Sequence, residues 1–189
     1  MNPKTIATIA VFSALSIALS LSPLKFPAPY EPFLYYQLWE IPIVVAFLLY
    51  GAKVGISIPV INTIVLFVFF QGGLPAGPLY NFIAIVSMLL GIYLIQKTIG
   101  NKFSKGRETI LTALSTTLGV IMRVAVMTVV NWIVLPMDAP FGYSIPPGAL
   151  PGYVGTTAFF NATIVLYTIP IGYIIARAIG SRTKIQLWK

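Results

Sequence analysis

Six apolar runs, separated by breaks rich in proline and glycine, take up most of the 189 residues. Each is close to the ~20 residues a helix needs to cross a ~30 Å hydrocarbon layer, and lipid leaves such a run almost no other fold. The runs predict helices over Thr5–Leu21, Phe33–Tyr50, Val54–Phe70, Leu79–Gln96, Ile110–Val134 and Thr156–Ile179. Glu40 and Pro42 interrupt the second, so its regular part is expected to begin near Ile41, with Phe33 to Trp39 folded back over the bundle. Pro59 and Pro170 are expected to bend the third and sixth. The fold class is an all-α membrane protein, six transmembrane helices in one domain over 1–189. With 58% of residues hydrophobic, 8% charged and a mean hydropathy of +0.91, the chain has no stretch left for a separate soluble domain. The first run, behind a single lysine, resembles a secretory signal, but more membrane sequence follows it, and it reads as a retained helix.

Orientation follows from the cations. Lys4, Lys53, Lys97, Lys102, Lys105, Arg107, Arg177, Arg182, Lys184 and Lys189, ten of the twelve Lys and Arg, fall on one side of the predicted topology. Both termini are therefore expected in the cytoplasm, in the cell membrane. The net charge of +8 is a topology signal and calls for a lipid bilayer, with no nucleic-acid partner. The outer connections SPLKFPAPYEP and LPMDAPFGYSIPPGALPG are nearly uncharged and rich in proline and aromatics. They read either as a stiffened lid or as ordinary helix ends at the interface.

Enzymatic chemistry finds little to work with. Histidine and cysteine are absent, and no phosphate loop, nucleophile elbow or zinc-protease motif occurs. Glu31, Glu40 and Asp138 lie far apart in sequence. No catalytic cofactor or metal is expected, and the chain is read as a non-enzyme.

Polar groups inside the runs are few, and each must face protein or a cavity. Asn81, Asn131 and Asn161 fall at one level near the outer ends of three successive helices. They suit one pocket for a neutral heterocycle with carbonyl and N–H groups; interhelical hydrogen bonds are the competing reading. Among the outer aromatics Tyr35, Tyr36, Trp39, Tyr80, Trp132, Tyr143 and Tyr153, an interfacial belt accounts for most, and Trp39 and Trp132 are set apart as candidates for stacking on a ring. Arg123, near the midplane, needs a partner: Glu40, Asn62, carbonyls freed by Pro59, or a ligand. Glu40 is either a binding carboxylate or a cap at its own helix's start. Ala10, Ala14 and Ala18 form a small-residue stripe, for docking another protein or for packing within the bundle.

These residues resemble a known family, the substrate-binding S components of energy-coupling factor (ECF) vitamin transporters, and within it the riboflavin-specific RibU type. The alanine stripe is similar to the family's AxxxA motif. KFPAPYEPFLYYQLWEIP resembles its first loop and second-helix start, GAKVG its tight turn, GPLYNF its fourth-helix motif, and NWIVLP and FFNA its fifth- and sixth-helix stretches. The resemblance implies ligand contacts from the first loop (Tyr35, Tyr36, Gln37, Trp39, Glu40) and from Asn81, Asn131 with Trp132, and Asn161. It implies docking of Ala10, Ala14 and Ala18 on an EcfT-like membrane coupling subunit, with two cytoplasmic ATPase subunits supplying energy for uptake of a small vitamin, riboflavin foremost. Thiamine, biotin, pantothenate or a queuosine precursor are the nearer alternatives, and a self-sufficient secondary transporter the more distant one. Ile164 stands where riboflavin members carry a lysine, and Gln37 and Tyr35 replace an acidic residue and a threonine of their first loop.

Overall fold

The computed structural model describes residues 2–69, 74–100 and 108–183. Within them lie six helices: α1 (Pro3–Leu21), α2 (Glu40–Tyr50), α3 (Ala52–Phe69), α4 (Gly77–Ile99), α5 (Glu108–Val134) and α6 (Leu150–Thr183), with a strand pair, β1 (Lys25–Ala28) and β2 (Glu31–Gln37), between α1 and α2. Five of the helices are long and apolar enough to cross a membrane. The basic-loop residues Lys102, Lys105 and Arg107, and Lys184 and Lys189 at the C-terminal end, lie outside the described residues.

The second helix corrects the expectation of a span from Phe33. It begins at Glu40 and has 11 residues, about 16 Å of rise and half the hydrocarbon thickness. Pro42 sits in its first turn, where a missing N–H costs nothing. The preceding residues pair instead as an antiparallel hairpin, with Phe26 opposite Tyr36 and Pro27 opposite Tyr35. The all-α expectation thus holds for the helical body, and the first loop adds a small β element. Every residue of α2 from Glu40 to Leu49 is buried, because α1, α3, α4 and α6 surround it. It ends at Gly51, whose φ of 85° only glycine adopts readily, with its N–H on the Phe47 carbonyl at 2.9 Å.

Ile43, Phe47, Leu48, Ile58, Ile85, Met88, Ile92 and Ile169 form the core around α2. The outward faces are equally apolar: Val11, Ile64, Val68, Ile121, Val129 and Ile174 are all exposed, a surface suited to lipid rather than water. The helices α4 and α5 touch backbone to backbone, since a methyl group on Gly91 would meet the Gly119 Cα at 2.7 Å. Pro59 and Pro170 lie inside unbroken helices. At the end carrying the α4 C-terminus and the α5 N-terminus, Arg177 lies 3.1 Å from the Glu108 carboxylate and bonds the Thr112 hydroxyl at 2.9 Å.

Candidate functional site

A cavity of about 710 Å³ opens at the opposite end of the bundle, within the range of small-molecule sites. Its wall comes mainly from α4, α5 and α6, with the ends of α1, α2 and α3 closing one side, and its roof from the hairpin and the segment 135–149. The amides of Asn81, in the second turn of α4, Asn131, in the last turn of α5, and Asn161, in the fourth turn of α6, all line it. Antiparallel neighbouring helices bring these positions into one cavity although they lie as much as 80 residues apart; Asn161, bonded to Arg123, sits deeper than Asn131, so the expected common level does not extend to it.

Arg123 sits about 12 Å deeper than Asn131 by helix rise. Its guanidinium grips Glu40 with two hydrogen bonds, Nη1 to Oε2 at 2.5 Å and Nη2 to Oε1 at 3.0 Å. Its Nε donates to Asn161 Oδ1 at 2.8 Å. Both charged side chains are nearly fully buried. Of the partners open to Arg123, Glu40 is the one realised; the Glu40 carboxylate is accordingly spent on this fork, which is what a buried charge requires. The side chains of Gln37, Asn81 and Asn131 make no hydrogen bond with another described residue and are free for a ligand.

The roof is fastened on three sides. Ser16 Oγ donates to the Trp39 carbonyl at 2.6 Å, and Tyr167 OH donates to the Gln37 carbonyl at 2.7 Å. Phe33 stacks on Tyr143, centroids 4.6 Å apart, and lies nearly parallel to Tyr153 at 6.2 Å. Tyr80 OH donates to the Phe141 carbonyl at 2.7 Å, tying α4 to the same segment. Both readings of the proline-rich outer connections therefore meet: they end helices, and they cover the cavity.

Tyr35, Gln37, Trp39 and Glu40 line the cavity with the three asparagines. Tyr36 does not: its hydroxyl meets Thr163 Oγ1 at 2.9 Å and Tyr30 OH, and its ring packs on Phe160. Trp132 does not either; it is 52% exposed on the outer face of α5, where the aromatic belt explains it. Ala10, Ala14 and Ala18 are exposed on the outer face of α1, whose inner face buries Ser13, Ser16 and Ser20. Packing within this bundle does not account for the stripe. Sequence reasoning missed Lys25, Phe33, Thr157 and Ile164 as lining residues. Two β-prone stretches, KFPA and EPFLYYQ, flanking only Pro29 and Tyr30 were the available hairpin signal.

Glu31, in the hairpin outside the spans, is buried, and burial pushes its carboxyl above its ordinary value of 4.5. Burial also raises the Tyr143 hydroxyl, with the negative charge of Glu31 adding to it. A raised carboxyl favours the folded roof when protonated, so stability falls as pH climbs from about 4.5 through the folded value. Glu31→Gln should raise the melting temperature at pH 7 and leave it unchanged at pH 4, where both states are protonated; thermal melts at the two pH values test this.

No family model matches the chain. It is 30% identical over 133 residues to the riboflavin transporter RibU of Staphylococcus aureus (strain TCH60), a match covering 70% of this chain and 65% of that one. It is 27% identical over 139 residues to the riboflavin transporter FmnP of Bacillus subtilis (strain 168), covering 71% and 68%. The match thus spans only about two thirds of these relatives' length. A solved structure described as the S component of a bacterial ECF transporter superposes with a TM-score of 0.73 over 96% of this chain and 98% of that one, at 23% identity, and shows the fold. Both relatives are named as transporters, and the fold is that of a transporter component. With its five apolar helices it is a multi-pass plasma-membrane protein. The chain has the fold of an ECF-transporter S component and is RibU-like in sequence.

Proposed function

We propose that this chain is the membrane-embedded substrate-binding subunit of an ECF-type transporter, and that its cavity captures riboflavin or a related flavin from outside the cell. The observation that carries this reading is the convergence of Asn81, Asn131 and Gln37, whose side chains bond no other described residue, with Trp39 and Tyr80 around one roofed space. Amides offer donor and acceptor together, which suits a flat neutral heterocycle, and the aromatic faces stack on its ring. The charges of Arg123 and Glu40 neutralise each other, so the base of the cavity selects for no net charge. The names of the two curated relatives favour riboflavin.

The cation distribution supports N- and C-termini in the cytoplasm, which puts the cavity mouth outside. Docking on an EcfT-like coupling subunit through Ala10, Ala14 and Ala18, with two cytoplasmic ATPase subunits driving release, completes the reading; the outward placement of the stripe supports it. A second reading, an S component for another vitamin, is favoured by one observation: Ile164, where riboflavin members have lysine, lines the cavity.

Purified protein should carry a flavin absorption band or retained flavin mass, and added riboflavin should quench its tryptophan emission. Asn131→Leu and Asn81→Leu should each weaken riboflavin binding by about tenfold or more, the worth of a hydrogen bond made in a dry site. Absence of any riboflavin response together with tight binding of thiamine or biotin would replace riboflavin by that vitamin.

A further inference from the structure

The three asparagines are not equivalent. Among the described residues Asn81 and Asn131 have no side-chain partner and can turn either end of the amide toward a ligand, whereas Asn161 is held at both ends. Its Oδ1 accepts from Arg123 Nε at 2.8 Å, and its Nδ2 donates to the Thr157 carbonyl at 2.8 Å. A guanidinium has only donors and a carbonyl only lone pairs. Turning the amide over would set donor against donor on one side and acceptor against acceptor on the other. Arg123 cannot swing aside to allow it, because Glu40 holds both of its terminal nitrogens. Asn161 is 5% exposed and is one of the residues that line the cavity. Its nitrogen keeps one N–H beyond that given to Thr157. The cation on its oxygen polarises the amide, weakening that oxygen as an acceptor and strengthening the N–H as a donor.

Resting on the reading of the cavity as a flavin site, we propose that Arg123 is a positioning residue that fixes the hydrogen-bond polarity of Asn161. The base of the cavity then presents a permanent donor and takes the acceptor edge of its ligand, a ring carbonyl, rejecting a ring that offers an amino group at that point. Specificity arises because the wrong group meets a donor that cannot turn away.

The test uses riboflavin and its two analogues with an amino group in place of one or the other pyrimidine-ring carbonyl oxygen. The intact protein should prefer riboflavin over at least one analogue by about tenfold or more, the worth of one fixed hydrogen bond. The double variant E40Q/R123M removes both charges together and with them the donor that holds Asn161, so the preference should fall to about threefold or less. An unchanged preference in the double variant overturns the proposal. A ligand-free measurement stands beside it: in ¹⁵N-labelled protein the Asn161 side-chain NH₂ signals, identified by their loss in Asn161→Asp, should be protected from solvent exchange and lose that protection in E40Q/R123M. Rapid exchange in the intact protein overturns the proposal even if the double variant does not fold. If riboflavin does not bind but the NH₂ signals are protected, the flavin reading fails and the fixed donor stands.

Discussion

Arg123→Met will destabilise the protein by about 3–5 kcal/mol, the cost of leaving a buried carboxylate without its counter-charge. The Glu40 side chain is 5% exposed, and Arg123 supplies both hydrogen bonds to it that the structure shows. Once the guanidinium is gone, the carboxylate must stay charged in an apolar surround or take up a proton. Asn161 Oδ1 loses its donor at the same time. For a domain of this size the melting temperature in detergent should drop by roughly 10 °C. Adding Glu40→Gln should recover most of that loss, because a buried pair replaced as a pair leaves no orphan charge. Thermal melts of the two single variants and the double complete the cycle. Single variants as stable as the original, or a double variant as unstable as Arg123→Met, would show that the pair contributes through something other than mutual neutralisation.

That pair was half legible in the sequence. A cation thirteen residues into an apolar run has to be compensated, and Glu40 was among few candidates; that α2 would be short and central, carrying Glu40 to meet α5, depended on tertiary packing. Most helix positions read well because an apolar run in contact with lipid has little choice but helix, and α1, α3, α4 and α5 lie within a few residues of their expected bounds; the run from Phe33 is the exception, its first part pairing as a strand over the cavity. That the three amides share one cavity was legible for a related reason, since depth in a bilayer can be counted along each helix, but the count set Asn161 level with Asn131, whereas its bond to Arg123 places it deeper. What was not legible was direction around the axis at adjacent positions. Asn131 and Trp132 were both assigned to the pocket, yet neighbours on a helix point about 100° apart, and only Asn131 faces inward. On β2 the alternation is sharper: Tyr35 and Gln37 line the cavity, and Tyr36 between them packs against α6.

Ala14→Leu should reduce riboflavin uptake by cells to about a tenth or less while changing the affinity of the purified protein by no more than about twofold. The separation follows from where the residue sits. Ala14 is exposed on the outer face of α1, the cavity-side contacts of that helix run through Ser16 and Ser20, and neither needs to shift for a leucine on the opposite side. In lipid the isobutyl side chain of leucine meets only acyl chains, so the isolated protein should fold and bind as before. Against a partner helix the same group holds the two backbones apart, and the packing that drives helix association in a membrane falls off steeply with that distance. Ala10→Leu and Ala18→Leu should behave alike, one turn to either side, whereas a leucine at Val129, exposed on α5 away from the stripe, should leave uptake unchanged. Uptake of labelled riboflavin beside tryptophan-quenching titrations measures both quantities. If the three stripe variants and Val129→Leu transport alike, the small-residue face is lipid-facing in the working transporter and the partner is engaged elsewhere.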